Sequence, residues 1–473
     1  MHAPRRSHFA AWAAIAACFF VWISLDKLLP EEPKDAQSEL VEAVPLVGVK
    51  EVFMGKILLS LKSLETASKT PGLVAAQVAP LVADQQPPLG ILCGSILYAR
   101  VGDLSLAEEA LGRAIERVKA DPASAPPKFL EVAAIVRDGF RDIEQPELHL
   151  ELTEAQEATL VSALGWYGEL LIATGGSDPP FEASLEGNAW KIALALVGFT
   201  VIGAIALLGG LVWLVVLAVK SASGKLAMPL VSPLETASTL PWIFAGWFGS
   251  TLVLAVTVAL MASRQGRLSG AMQISVQLTL MGLPLCALLL GRQRGVSWKQ
   301  VCHDIGLHCG RGFWREFFYG FTVWATAVPM VIAGALVAFI LSLFVSQQFQ
   351  DASHPLPEAI AHGSTVTRVL LLFLAAVAAP VVEEIVFRGV LFRHLRDLTW
   401  RWGRGLSFVV AALGSSFVFA AIHPQGILFI PILGALACAF CLARETRGSL
   451  ISCMVAHGFH NGLVVLLIMA LSS

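Results

Sequence analysis

The chain consists of one long polar segment followed by a series of long apolar segments. From residue 189 onward, apolar runs of about 18 or more residues recur at short intervals, and such runs are long enough for a helix to cross a bilayer. We predict eight transmembrane helices at 191–217, 241–262, 271–291, 318–345, 366–387, 406–423, 426–443 and 450–471. An earlier apolar run, from Phe9 to Leu25, follows Arg5 and Arg6 and predicts an uncleaved signal anchor.

Residues 31–187 have the pattern of a water-soluble helical domain. The stretch LAEEALGRAIERVKA at 106–120 places apolar residues at helical spacing, opposite charged ones. Five residues follow the spacing of one tetratricopeptide-like hairpin: Tyr98, Gly102, Ala107, Leu111 and Ala114. An ordinary helical hairpin fits these positions equally well. The pattern therefore predicts an all-α polytopic membrane protein with an extracytoplasmic helical domain.

Composition and charge support this division of the chain. The sequence is 56% hydrophobic and only 14% charged. Residues 31–187 hold 25 of the 35 acidic residues and only 12 of the 33 basic ones. The basic residues of the apolar part lie mostly in every second loop, which is typical of cytoplasmic loops and not of nucleic-acid binding. We therefore expect an integral membrane protein with residues 31–187 on the outer side, where they can bind partner proteins.

The stretch PVVEEIVFRGVLF at 380–392 introduces charge into a predicted span. Glu384 and Arg388 are four residues apart, so they share one helical face and can form an ion pair. Glu383 is rotated by about 100° around the helix axis from Glu384, so it points away from the face that carries this pair. Charged side chains inside a span cost about 2.5–3.5 kcal/mol on insertion scales, so they persist where they pair or take part in function.

Two later spans contain further polar side chains. His423 ends the apolar run FVVAALGSSFVFAAI, and His457 and Asn461 share one face of the last span. One carboxylate, two imidazoles and one amide from successive spans could supply a base, a water-orienting group and oxyanion donors. His423 lies 19 residues after Arg404, near the opposite surface from Glu383 and His457. To bring these groups together, we expect residues 405–412 to run along the membrane surface first, or the helix to be tilted or interrupted. Gly414 and the His423–Pro424 step favour an interrupted helix.

Three patterns then occur in order: EExxxR (Glu383, Glu384, Arg388), FxxxH (Phe419, His423) and HxxxN (His457, Asn461). They resemble the CPBP family, which comprises type II CAAX prenyl endopeptidases and related intramembrane glutamic proteases. The resemblance covers about 365–471. It says nothing about residues 1–187. Hydropathy and charge predict a signal anchor at 1–30, an acidic domain at 31–187 and N-terminal transmembrane helices at 188–345, before a catalytic core at 346–473. For a relative of this family with so large an external domain, we expect a bacterial inner-membrane protein.

The resemblance implies a role for each motif residue. Glu383 and His423 would activate water, and His457 and Asn461 would stabilise the oxyanion. Glu384 and Arg388 would hold the architecture. The expected substrate is a membrane-associated protein or peptide in contact with the lipid bilayer, with no cofactor and no metal.

Three alternative functions stay open. A zinc protease could employ the carboxylate and imidazole groups as ligands, although the chain lacks HExxH. A proton-coupled transporter could relay protons through them. A silent scaffold would use residues 31–187 to bind partners.

The stretch CHDIGLHC at 302–309 matches no common zinc pattern, and Cys438 and Cys441 lie within an apolar span as a reduced pair.

Overall fold

The computed structural model describes most of the chain. The described residues are 5–23, 47, 52, 54–59, 73–144, 152–174, 179–230, 234, 236–265, 270–344, 356–361, 363–423 and 425–472. The ends of the predicted anchor and parts of the predicted acidic domain lie outside these residues. The described residues contain helices and no strand, so the all-α prediction is confirmed.

The first described helix, α1, spans Arg5–Ile23. The described residues of the polar segment include the helices α2 Leu73–Val78, α3 Pro88–Val101, α4 Leu104–Ala120, α5 Phe129–Glu144, α6 Glu154–Leu164 and α7 Trp166–Thr174. Helices α3 and α4 form the predicted hairpin. Gly102 ends α3 with a left-handed φ of 97°, and the Asp103 side chain caps α4 by accepting from the Leu106 N–H. One hydrophobic core joins these helices.

The apolar part contains long helices interspersed with short ones. They are α8 Pro179–Ala222, α9 Leu240–Gln265, α10 Gly270–Gly282, α11 Leu289–Gln293, α12 Trp298–Ile305, α13 Phe313–Ser342, α14 Leu356–Ala361, α15 Thr365–Trp402, α16 Arg404–Ala421, α17 Ile430–Arg447 and α18 Ile451–Ser472. A 3₁₀ turn at Leu283–Leu288 joins α10 to α11. Eight helical segments among the described residues are long and apolar enough to cross a membrane. The predicted number of spans is therefore confirmed.

Helix α15 differs most from the prediction. It continues to Trp402, about 15 residues beyond the predicted span. It also contains two π-helical segments, at Leu374–Ala378 and Glu384–Leu391. Such wide turns are rare and occur often at functional sites. The second π segment carries Glu384 and Arg388, and its apolar side chains Val386, Phe387 and Val390 pack in the core beside α9.

Helix α16 corrects a further expectation. It runs without a break from Arg404 to Ala421, so the interruption expected near Gly414 is wrong. Its small side chains Ala411, Ser415 and Ser416 are buried, and the Ser415 hydroxyl donates to the carbonyl oxygen of Phe387 (3.0 Å). This packing fits a continuous helix beside the second π segment.

Helix α1 packs against the membrane helices. Its Ile15 belongs to the same buried core as Phe244 of α9 and Phe387 of α15. The indole N–H of Trp12 donates to Nε2 of buried His394 (3.2 Å). The predicted anchor therefore contributes contacts to the membrane unit, and its role as a signal anchor stays a prediction.

Several basic residues that we assigned to loops are instead buried in helices. Arg396 forms a two-pronged ion pair with Glu445, with distances of 2.8 and 2.7 Å. Arg393 and Arg444 are also buried, and Arg444 donates to the carbonyl oxygens of Asp304 and Gly448. Sequence spacing could not reveal Glu445 and Asp304 as partners, because they lie on other helices. The sidedness inferred from basic residues stays a prediction.

The start of α18 is fixed by the segment before α13. The Leu450 N–H donates to the carbonyl oxygen of Gly306 (3.0 Å), and the Ser449 hydroxyl donates to that of His308 (2.6 Å). Burial and the positive charge of Arg444 lower the pKa of His308, so its ring is neutral near pH 7 and Nδ1 accepts from the Gly310 N–H. These contacts set the position of α18, which carries His457 and Asn461.

Candidate active site

Helix α15 brings three charged side chains to one place. Nη1 of Arg388 lies 3.0 Å from Oε1 of Glu384, and both side chains are essentially inaccessible to solvent. The predicted ion pair is therefore present. Glu383 is different, because 17% of its side chain is exposed and it does not contact Arg388 in this way. One of the two adjacent carboxylates is thus buried and paired, while the other is open.

The Arg388 guanidinium lies between two aromatic rings. Its Cζ is 4.5 Å from the centroid of Phe419 on α16 and 5.1 Å from that of Phe440 on α17. Ring faces attract a cation, and the attraction grows where water is excluded. Two helices therefore hold the cation that neutralises Glu384. This explains why a phenylalanine occurs one helical turn before His423.

His457 on α18 contacts both carboxylates. Its Nδ1 is 2.8 Å from Oε1 of Glu384, and its Nε2 is 3.6 Å from Oε2 of Glu383. Because the ionised carboxylate of Glu384 can only accept, Nδ1 carries a hydrogen. The sequence did not reveal that Glu384, besides pairing with Arg388, also orients His457. No spacing rule connects residues that are 73 positions apart.

His423 follows the end of α16. Its Nδ1 lies 2.6 Å from the carbonyl oxygen of Phe419, so Nδ1–H donates there and Nε2 is left for another partner. The Phe419 ring contacts both imidazoles, with centroid distances of 4.4 Å to His423 and 6.0 Å to His457. Phe440 stacks on His457 from α17, with a centroid distance of 5.2 Å. The aromatic rings therefore fix the orientation of His457 and contact His423.

Asn461 reaches α15 at a gap in its backbone hydrogen bonds. Its Nδ2 donates to the carbonyl oxygen of Ala375 (3.0 Å). In a π turn this oxygen would accept from the residue five positions later, which is Pro380. Proline has no N–H, so the oxygen is left without its helical donor. Asn461 supplies one N–H, and the second N–H of its amide remains for another acceptor.

Gly458 lets α18 approach α15 at the same place. A Cβ on Gly458 would overlap the carbonyl oxygen of Ala376. We expect Gly458→Ala to push the helices apart, lower the unfolding free energy by about 1–3 kcal/mol and reduce any activity that depends on His457. Gly462→Ala is the matched control, because its Cβ would meet only the Cβ of Ala376 at an ordinary 3.5 Å. Unfolding in detergent measures the difference, and equal stability of the two variants would contradict the prediction.

Within the described ranges, no three His, Cys, Asp or Glu side chains are grouped as metal ligands. In the CHDIGLHC stretch, the His303 and His308 rings stack with centroids 5.2 Å apart. Cys438 and Cys441 are free thiols that flank the Ser416 hydroxyl. These side chains have structural contacts in the fold.

The fold and these side chains define an integral membrane protein with a carboxylate–imidazole site among its helices. Residues 365–463 match the family model described as Rce1-like type II CAAX prenyl endopeptidase. The resemblance read from the motifs is thereby confirmed.

The chain is also similar to a curated protein, the membrane-embedded CAAX protease MroQ of Staphylococcus aureus (strain USA300). The two are 31% identical over 97 residues, which is 20% of this chain and 38% of MroQ. The similarity thus spans less than half the length of that relative. No solved structure matches the chain.

Proposed function

We propose that this protein is an intramembrane endopeptidase that hydrolyses a peptide bond in a membrane-associated protein or peptide. The observation that carries the proposal is the placement of two carboxylates against one imidazole, with Glu384 held by Arg388 and Glu383 left open. The family match at 365–463 supports a membrane protease. The glutamic mechanism is our inference from the geometry.

Charge balance assigns the state of His457. Unpaired charge is costly in a site of low dielectric. Glu383 and Glu384 contribute two negative charges and Arg388 one positive charge, so a protonated His457 makes the cluster neutral. In this state His457 donates from Nδ1 to Glu384, and its Nε2–H is available to a developing oxyanion beside Glu383.

The reaction then needs no cofactor. Glu383, assisted by Nε2 of His423, takes a proton from water as the water oxygen adds to the scissile carbonyl carbon. The resulting oxyanion accepts hydrogen bonds from His457 Nε2–H and from the second N–H of Asn461. When the carbon–nitrogen bond breaks, the proton held by Glu383 passes to the leaving amine.

Asn461→Ala tests the oxyanion site. We expect kcat to fall by about 10²–10³-fold with little change in KM, because a donor to the transition state is lost. Because the Ala375 oxygen is left without a donor, stability should fall by about 1–3 kcal/mol. Kinetics with a fluorogenic peptide in proteoliposomes measure both constants, and Gly462→Ala is the control. A kcat within a few-fold of the wild type would remove Asn461 from the mechanism.

The substrate can be found by comparing cells that produce the wild type with cells that produce Glu383→Gln. New N-terminal and C-terminal ends in the membrane and secreted fractions of the wild type alone would identify the cleavage site. Identical fractions, with both proteins folded at equal levels, would contradict proteolysis. Loss of activity after exhaustive chelation, with recovery on adding zinc, would instead support the metalloprotease alternative.

A further inference from the structure

A groove in the soluble helical domain is separate from the candidate active site. It has a volume of about 600 Å³ and lies between the turn after α2 and the hairpin of α3 and α4. Its apolar lining comes from Ala79, Val82, Ala83 and Leu106. A space of this size holds a small ligand or a short peptide segment.

The wall formed by the turn is held in place by two arginines of α4. Arg113 donates from Nη2 to the carbonyl oxygen of Val82 (3.0 Å). Arg117 donates from Nη1 to the carbonyl oxygens of Asp84 (2.9 Å) and Gln86 (2.8 Å). These bonds use backbone acceptors of the turn and tie it to the hairpin. The groove is therefore a built part of the domain.

Tyr98 lines the groove with an unused hydroxyl. The residue is 4% exposed, and within the described part of the chain its hydroxyl has no hydrogen-bond partner. Burial and the nearby Asp103 carboxylate raise the pKa of Tyr98, so the phenol keeps its proton and can both donate and accept. Because Tyr98 lines the groove, its hydroxyl is accessible there to hydrogen-bond a ligand.

The charged groups of the groove that remain free to bind a ligand are negative. Arg113 is already engaged, because Nη1 donates to Glu109 (2.6 Å) and Nη2 to the backbone. Asp84 has only a 3.4 Å ion-pair contact with Nε of Arg113, and most of its side chain is exposed. Among the described residues its carboxylate accepts no hydrogen bond. The acidic excess of residues 31–187 adds a field that attracts cations.

We propose that this groove binds a lysine or arginine side chain of a partner polypeptide. The aliphatic stem would lie against Val82 and Leu106, as such stems do along apolar surfaces. The charged head would donate to the Asp84 carboxylate and to the Tyr98 hydroxyl. Glu109 would add negative charge at the rim. The soluble domain thus recognises basic segments of proteins on its own side of the membrane.

The test uses the full chain in nanodiscs, with the Glu383→Gln substitution to prevent cleavage. The probe is a fluorescein-labelled pentapeptide with a central arginine flanked by leucine and glycine, and its matched control has citrulline at the centre. We expect the arginine peptide to bind at least about tenfold more tightly, because a charge-assisted hydrogen bond is lost with citrulline. Empty nanodiscs measure the membrane contribution.

Variants of the groove locate the binding site. Asp84→Asn and Tyr98→Phe should each weaken binding of the arginine peptide by about fivefold or more. Glu116→Gln is the matched control, since Glu116 lies on the same helix but is exposed and bonds to Lys119. Thermal unfolding confirms that each variant folds. Equal affinity for arginine and citrulline, unchanged affinity of both groove variants, or binding only of free spermidine would overturn the proposal.

Discussion

Glu383→Gln is expected to lower the rate of peptide-bond cleavage by at least about 10³-fold while leaving the protein folded. A positioned general base contributes about 10²–10⁴-fold, and glutamine cannot accept the proton from water. Glu383→Gln should lower the cleavage rate more than the loss of an oxyanion donor such as Asn461. Glutamine has nearly the same volume as glutamate, so packing around α15 should not change.

The structure explains why this substitution should change the free energy of unfolding only slightly. Glu383 is partly exposed, and its described contact is the 3.6 Å approach to Nε2 of His457. Because this contact is longer than a normal hydrogen bond, losing it should cost about 1 kcal/mol. The measurement is single-turnover cleavage of a fluorogenic peptide beside chemical unfolding of the same preparation in detergent. A variant that retains a tenth or more of the wild-type rate would show that Glu383 is not the base.

Glu384→Gln, unlike Glu383→Gln, is expected to cause a large loss of stability. Glu384 is fully buried and contacts two groups, Nη1 of Arg388 at 3.0 Å and Nδ1 of His457 at 2.8 Å. Removing its charge leaves the Arg388 guanidinium buried without a counterion. Breaking a buried pair in this way costs about 3–5 kcal/mol. Activity should fall as well, because His457 loses the acceptor that orients it.

The adjacent Glu383→Gln variant is the control for this prediction, since the chemical change and the position along α15 are nearly identical. Unfolding monitored by tryptophan fluorescence gives the difference in unfolding free energy between the two variants. We expect Glu384→Gln to be the less stable by at least about 2 kcal/mol. If both variants unfold alike, the buried triad of Glu384, Arg388 and His457 does not stabilise the fold.

The sequence predicted the eight spans because each depends on the composition of a local window. It also predicted the Glu384–Arg388 pair, because residues four apart meet on one helical face. The same reasoning did not reveal that Arg396 and Arg444 bind Glu445 and Asp304, which lie on other helices. It also placed an interruption at Gly414 where α16 is continuous. A depth within the membrane that is estimated from residue counts takes no account of the angles at which neighbouring helices cross.

The sequence by itself determined that this is an all-α membrane protein, and it determined which side chains are chemically capable of the proposed reaction. Only the tertiary structure decided how they combine: Glu384 holds His457, Phe419 contacts both imidazoles, and Asn461 takes the backbone oxygen that Pro380 leaves without a donor. The physical reason is that helix formation and membrane insertion depend on local periodicity and hydropathy. The site depends on hydrogen bonds and ring contacts between helices, and the residues that make them can be more than 70 positions apart in the chain.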